Sequence, residues 1–295
     1  MFVMKKNLLI FPILIAINLI LFVAFVKVAK NNNKTTTKIS VVVFDPVSEF
    51  FIKQLSYNTN SIEVTNVLSY LNKTEKLSFY EQNKIRTSNA VIAFDPNGKI
   101  QKALNIEKNK LFDFSASIIY YDDFFTAGNI DELMSYGYLN SSKNLKFLLI
   151  YLTSVLKNLD PVNKAIYESN FFELSKQIST TFTQATQILQ PFTERAINII
   201  IVGSQATQFL QDINFFGVVD IASPITQEKT NNLKNIIKSG GVGCVVNIDL
   251  ENNSEIYKAI KIRPVKYYRY NLYNNFSLQN YIKFTEIVSK CFDKK

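Results

Sequence analysis

The chain has 295 residues, 47% of them hydrophobic and 19% charged, with a formal net charge of +9 and no histidine or tryptophan. That size and apolar content suffice for one large or two medium domains. The lack of histidine excludes Ser-His-Asp and Cys-His catalysis, imidazole acid–base chemistry and every imidazole metal ligand. The lysines are scattered rather than clustered, which reads as a solvated basic surface and not as a nucleic-acid interface.

Lys5 and Lys6 precede a run at 8–26 interrupted only by Pro12 and Asn18. Nineteen apolar-dominated residues are long for a signal-peptide core and suit a bilayer-spanning helix. No small-x-small cleavage pattern follows, since Ala24 and Ala29 have Phe22 and Lys27 three residues before them. The expectation for 1–30 is therefore an uncleaved signal anchor, with a cleaved signal peptide as the alternative. Lys27, Lys30 and Lys34 compete with Lys5 and Lys6, so charge leaves the orientation open. Residues 31–37 begin NNNKTTT and read as a polar linker.

Strand-like runs follow at 39–44, 62–68, 90–94 and 117–121. Four more lie at 197–202, 218–221, 243–248 and 265–270. Runs such as ISVVVF and INIIIV are continuously apolar, as expected of parallel strands buried on both faces. Helical stretches at 47–55, 204–212, 226–239 and 254–260 separate many of them, and a last helix at 277–292 is expected to pack back on the body. Between the two sets of strands lie two consecutive helices. Leu145, Leu148, Leu149, Leu152, Val155, Leu156 and Leu159 give the first one apolar face. Asp160 and Pro161 then read as an N-cap and first-turn proline. The second helix carries Ile166, Phe171, Leu174, Ile178, Phe182, Ala185, Ile188 and Leu189 before Pro191 stops it. At about 40 Å it is longer than one small domain needs. The prediction is an α/β protein: two four-stranded parallel-sheet lobes, 38–159 and 192–295, joined by a long rigid linking helix at 160–191.

In such lobes ligands sit at the carboxyl ends of the strands, and two such edges would face each other across a cleft. Asp45, Asp95, Asp122, Ser204, Asp249 and Asn271 fall there. The four aspartates are cleft candidates that could hold a hard cation or an amine, although capping the next helix is the commoner fate of Asp at a strand-to-helix junction. Gly240, Gly241 and Gly243 precede a strand, the wrong order for a phosphate loop. The segment 140–142 (NSS) reads as a helix N-cap. Tyrosines at 120–121, 136, 138, 267–268 and 270 read as core and cleft lining.

The order of elements and three motifs resemble the metal-type solute-binding proteins of ABC importers, in particular the zinc-uptake proteins of Gram-negative bacteria. YGYLNS at 136–141, followed by an amphipathic helix, is similar to that family's His-x-Trp-Leu-x-Pro segment. LDP at 159–161 with YESN at 167–170 is similar to the start of its linking helix. GCVV at 243–246 with KCF at 290–292 resembles the paired cysteines of the zinc proteins. The resemblance implies a Cys244–Cys291 disulfide, hence an oxidising periplasmic compartment, and it settles the orientation of the N-terminal segment. It also implies a monomer, tethered to the inner membrane or released to the periplasm, that works with an ABC permease there and performs no catalysis. Zinc or manganese would be the cargo. Family ligand positions fall on Tyr136, Ser204 and Asn271, with Glu75 the one ligating side chain in the first ligand's window at 73–76. Neutral Tyr, Ser and Asn are poor zinc ligands, so the usual metal site is expected to be degenerate. The alternative is an envelope interaction module that keeps the fold and binds no metal.

Overall fold

The computed structural model describes residues 38–67, 77–96, 98–117, 139–193, 198–203, 206–215, 218–222, 227–240, 242–248, 258, 260–261, 265–273 and 275–293. The described residues from Ile39 on belong to one compact unit. The anchor and linker expected at 1–37 lie outside the described residues. Among the described residues no helix is long and apolar enough to cross a membrane.

The first sheet is built from β1 (Ile39–Val43), β2 (Ile62–Asn66), β3 (Ala90–Ala93) and β4 (Leu111–Asp113) in the order β2-β1-β3-β4. The second is built from β5 (Asn198–Gly203), β6 (Val218–Ala222), β7 (Val242–Asn247) and β8 (Lys266–Arg269) in the order β6-β5-β7-β8. All six pairings are parallel. One topology thus occurs twice, although no repeat is visible in the sequence. The fourth strand is not where the sequence predicts it. Residues 118–121 lie outside the described ones, Ser115–Ser117 forms a 3-10 turn, and the strand is Leu111–Asp113. Three residues paired only with β3 are too short to show a strand period.

The helices are α1 (Pro46–Leu55), α2 (Phe79–Thr87), α3 (Lys99–Leu104), α4 (Ser142–Leu159), α5 (Lys164–Leu189), α6 (Thr207–Asp212), α7 (Gln227–Ser239) and α8 (Gln279–Lys290). Period-two alternation sends opposite faces of the central strands to different cores. Val41 and Val43 of β1, Ile199 and Ile201 of β5, and Cys244 and Val246 of β7 all enter one apolar cluster with α1, α4, α5 and α8. Val42 and Val91 face a second cluster with Ile85 of α2, and Ile200 and Val245 a third with Leu233 and Ile237 of α7. The large cluster therefore takes in the inner faces of both sheets.

The two consecutive helices fold as their spacing predicts, with one change at their junction. Leu145, Leu148, Leu149, Leu152, Val155 and Leu156 of α4 are buried, as are Leu174, Ile178, Phe182, Ala185 and Leu189 of α5. The 26 residues of α5 span about 39 Å. Asp160 caps no backbone N–H with its side chain, and Pro161–Asn163 is a 3-10 turn before α5 begins. Instead the Asp160 carboxylate accepts hydrogen bonds from Ser61 Oγ at 2.5 Å, Tyr167 Oη at 2.6 Å and Asn163 Nδ2 at 2.8 Å. Across the same junction, Lys157 pairs with Glu168 at 2.5 Å. At the far end, Cys244 on β7 is disulfide-bonded to Cys291 after α8, and Lys266 Nζ donates to the carbonyls of Lys290, Cys291 and Asp293. Helix α8 buries Tyr281, Phe284 and Val288, so it packs back on the body as expected.

Candidate functional site

In each sheet the chain leaves the first strand toward one neighbour and later returns on the other side, so the topological switch lies between β1 and β3 and between β5 and β7. The carboxyl ends of those strands are where an α/β sheet can hold a ligand. Asp45 follows β1 and Asp95 follows β3, so both stand at the first switch. Ser204 and Asp249, expected at the second, lie outside the described residues, as do Glu75, Asp122 and Tyr136.

Both described aspartates serve the helix that follows them. Asp45 is 3% exposed and its Oδ1 accepts from Ser48 N at 2.6 Å, capping α1. Burial raises its pKa to about 6, because desolvation of the carboxylate outweighs the hydrogen bonds from Ser48 and Val47. Asp95 is 5% exposed; its two oxygens accept from Ile100 N and Gln101 N, each at 2.9 Å, at the start of α3. Its own N–H donates to Asp113 Oδ1 at 2.9 Å. A carboxylate whose lone pairs face the N–H groups of a helix start has few left for a ligand. Asn271, at the fourth family position, accepts from Tyr273 N at 3.1 Å through Oδ1, an Asx turn.

Beside Asp45 lies a set of groups that carry no sequence signal. Among the described residues Ser48 Oγ and Asn66 Oδ1 are buried with no hydrogen-bond partner, and Asn66 Nδ2 donates to Glu49 Oε2 at 2.8 Å. The set has two carboxylates, and among the described residues no group of three or more His, Cys, Asp or Glu side chains is placed to hold a metal ion.

A second group of polar side chains that sequence reasoning missed lies at the start of α4. Leu139, Asn140 and Ser141 are fully buried. Tyr273 Oη donates to Asn140 Oδ1 at 3.0 Å, and Tyr281 Oη donates to the Leu139 carbonyl at 3.1 Å. Ser141, the N-cap residue of α4, makes no side-chain capping bond of its own. The capping acceptor comes from α6: Asp212 Oδ2 accepts from Ser142 N at 2.8 Å, Ser141 Oγ at 3.0 Å and Ser142 Oγ at 3.2 Å. The NSS segment is thus the N-terminus of a helix, as its residue types predict, but its acceptor is 70 residues away in sequence. Burial, with Tyr273 and Asp212 nearby, keeps the Tyr281 phenol protonated well above the usual range.

No family model and no curated protein matches the chain in sequence. Solved structures do match in fold. A crystal structure of ZnuA superposes with a TM-score of 0.68 over 87% of this chain and 100% of that one, at 13% identity. The laminin-binding protein Lbp of Streptococcus pyogenes gives 0.68 over 88% and 100%, also at 13% identity. The manganese-bound periplasmic metal binding protein of Candidatus Liberibacter asiaticus gives 0.67 over 86% and 100%, at 13% identity. The fold is that of ZnuA and of these laminin-binding and periplasmic metal binding proteins.

Proposed function

We propose that this chain is a solute-binding component of a metal-type ABC importer, capturing its cargo without catalysis and presenting it to a permease in the inner membrane. The observation that carries this reading is the fold: two parallel sheets of one topology, a 26-residue helix between them, and near-complete coverage of metal-binding periplasmic proteins. The reading includes lobes at 38–159 and 192–295 joined by 160–191, with 1–30 as a signal anchor or cleaved signal peptide and 31–37 as a linker on the periplasmic side. The Cys244–Cys291 disulfide supports an oxidising compartment.

The same reading holds the usual zinc site to be degenerate. A chain without histidine offers Tyr136, Ser204 and Asn271 at the family positions, with Glu75 in the first ligand's window, and the Asn271 amide oxygen is engaged by its own turn. Isothermal titration of the purified full chain with zinc, manganese and iron tests this. Weak binding indifferent to Tyr136→Ala and Ser204→Ala is expected. Micromolar or tighter one-to-one zinc binding abolished by either substitution overturns the degenerate site.

A second reading is favoured by one observation. Phe50 of α1 and Phe276, just before α8, meet edge to face with ring centroids 5.6 Å apart, so side chains from the two halves pack directly on one another. A fold kept for its surface, an envelope interaction module, would tolerate such a contact, and the fold also serves a protein named for laminin binding. Titrations silent for all three metals, with the circular-dichroism spectrum of a folded chain, would favour it.

A further inference from the structure

The amino ends of the first sheet's strands gather at one end of the molecule. Ile39 N, at the start of β1, donates to the Ser61 carbonyl at 2.7 Å, and Asn89, just before β3, exchanges hydrogen bonds with Ser40. Ser61 Oγ reaches Asp160 at the junction of α4 and α5. Asn170 of α5 donates to the carbonyls of Leu55 and Tyr57, where α1 ends. Apolar side chains stand out in solvent around this rim: Tyr57 is 65% exposed and Val162 90%, with Phe172 on α5 at 71%. Exposed Arg86 and Lys108 lie here too, since Lys110 Nζ, beside the start of β4, donates to the Arg86 carbonyl. Exposed Lys164 begins α5. The pairs Lys84–Glu63, Lys110–Glu107 and Lys157–Glu168 cancel, and Arg86, Lys108 and Lys164 then outnumber the buried Asp160.

Single exposed apolar residues need no explanation, but an apolar rim set among cations fits one kind of surface. At the boundary of an anionic bilayer, tyrosine and aliphatic side chains enter the interface while Lys and Arg meet the headgroup phosphates. The place where the chain enters the fold favours the bilayer over a protein partner. Only residues 27–37 separate the apolar run from Lys38, a span of about 40 Å at full extension. Ile39 continues from that tether straight into β1, so the rim carrying Tyr57 and Val162 is the end held beside the membrane.

We infer that this end of the molecule docks on the anionic bilayer, with Tyr57, Val162 and Phe172 entering the interface and Arg86, Lys108 and Lys164 facing its phosphates. The inference rests on the reading of 1–30 as an uncleaved anchor. Its consequence concerns orientation. Helix α4 starts beside Tyr273, which follows β8, and ends beside Ser61, which precedes β2. It therefore runs from carboxyl ends to amino ends, over about 27 Å for its 18 residues. A docked molecule turns its ligand edges away from the bilayer, toward the periplasm. Presenting cargo to a permease requires it to lift off, which a tether of about 40 Å permits.

Because the chain has no tryptophan, one introduced indole reports its own surroundings. The full chain carrying Val162→Trp, reconstituted in phosphatidylcholine vesicles containing phosphatidylglycerol, should show blue-shifted emission that brominated lipid quenches. The control is Phe79→Trp, at a position 84% exposed and at the far end of α2 from Asn89; it should emit as in water and escape quenching. Adding Arg86→Glu and Lys164→Glu to Val162→Trp, or omitting phosphatidylglycerol, should lower the quenching. So should salt at about 1 M, where the Debye length is about 3 Å. Docking is overturned by no quenching at position 162, by equal quenching at 79, or by quenching indifferent to charge, in a chain that still floats with the vesicles after an alkaline wash. A blue shift at 162 that grows with protein concentration and ignores brominated lipid overturns it in favour of a second copy on this surface. Loss of the chain in the alkaline wash overturns the anchor reading and the docking together.

Discussion

Four aspartates show two ways of using a buried or half-buried carboxylate. Asp45 and Asp95, at the strand ends, accept from backbone N–H groups three, five and six residues away. Asp160 and Asp212, at the two ends of α4, accept from groups 99, 71 and 70 residues away. The first pair completes local structure and would be satisfied in almost any fold with a helix in that place. The second pair has its full set of partners only in this tertiary arrangement, although Asp160 also accepts from the nearby Asn163 and Tyr167. The two described carboxylates at the expected ligand edge are thus spent on local capping, while those with long-range partners lie where no ligand is expected.

The long-range ties should carry the larger stability effects, and the covalent one should be largest. Closing a loop of 47 residues between Cys244 and Cys291 removes about 4 kcal/mol of unfolded-state entropy in the chain-entropy account. Reduction, or Cys244→Ala with Cys291→Ala, should lower the urea-unfolding free energy by about that amount. Asp160→Ala should follow, at about 3 kcal/mol, because it leaves Tyr167 Oη, Ser61 and Asn163 without their shared charged acceptor. Asp95→Ala, losing a helix cap, should cost about 1 kcal/mol. An Asp95→Ala effect equal to that of Asp160→Ala would erase the distinction between local and long-range ties.

The same distinction decides what could be read from the sequence. Runs of β-branched residues such as VVV at 41–43 and III at 199–201 announce buried parallel strands, and the three-four spacing of Leu145 to Leu156 announces α4, because these signals are local. β4 is missed since a three-residue edge strand has no period. The Asp160–Ser61 and Asp212–Ser142 bonds are missed since nothing near either aspartate names its partner; Asp160 beside Pro161 even imitates a local cap. The cysteine pairing was legible only through resemblance to a family. At the candidate site, residue types at the strand ends were legible, but whether Asp45 and Asp95 had lone pairs to spare depended on helix starts whose positions a sequence gives only to within a turn.

The two uses also separate by sign. Burial raises the folded pKa of Asp45 to about 6 from an ordinary 3.8, so its protonated form is favoured by folding. Its contribution is therefore full below about pH 4 and lost as pH rises through 6, a swing of about 3 kcal/mol. Asp160 has the opposite sign. Burial alone would raise its pKa, but the Ser61, Tyr167 and Asn163 donors outweigh burial and hold it below the usual range, so its contribution is present above pH 4 and lost as pH falls further. Asn is as good an N-cap as Asp and carries no charge to desolvate. Asp45→Asn should then be more stable than the parent at pH 7 by about 3 kcal/mol, with the difference vanishing below pH 4. Asp160→Asn should be less stable than the parent at pH 7, with its deficit shrinking only on acidification below pH 4. Urea titrations of both variants from pH 3 to 8 check the pair, and a pH-independent difference for Asp45→Asn would show that its carboxylate is not held against its charge by burial.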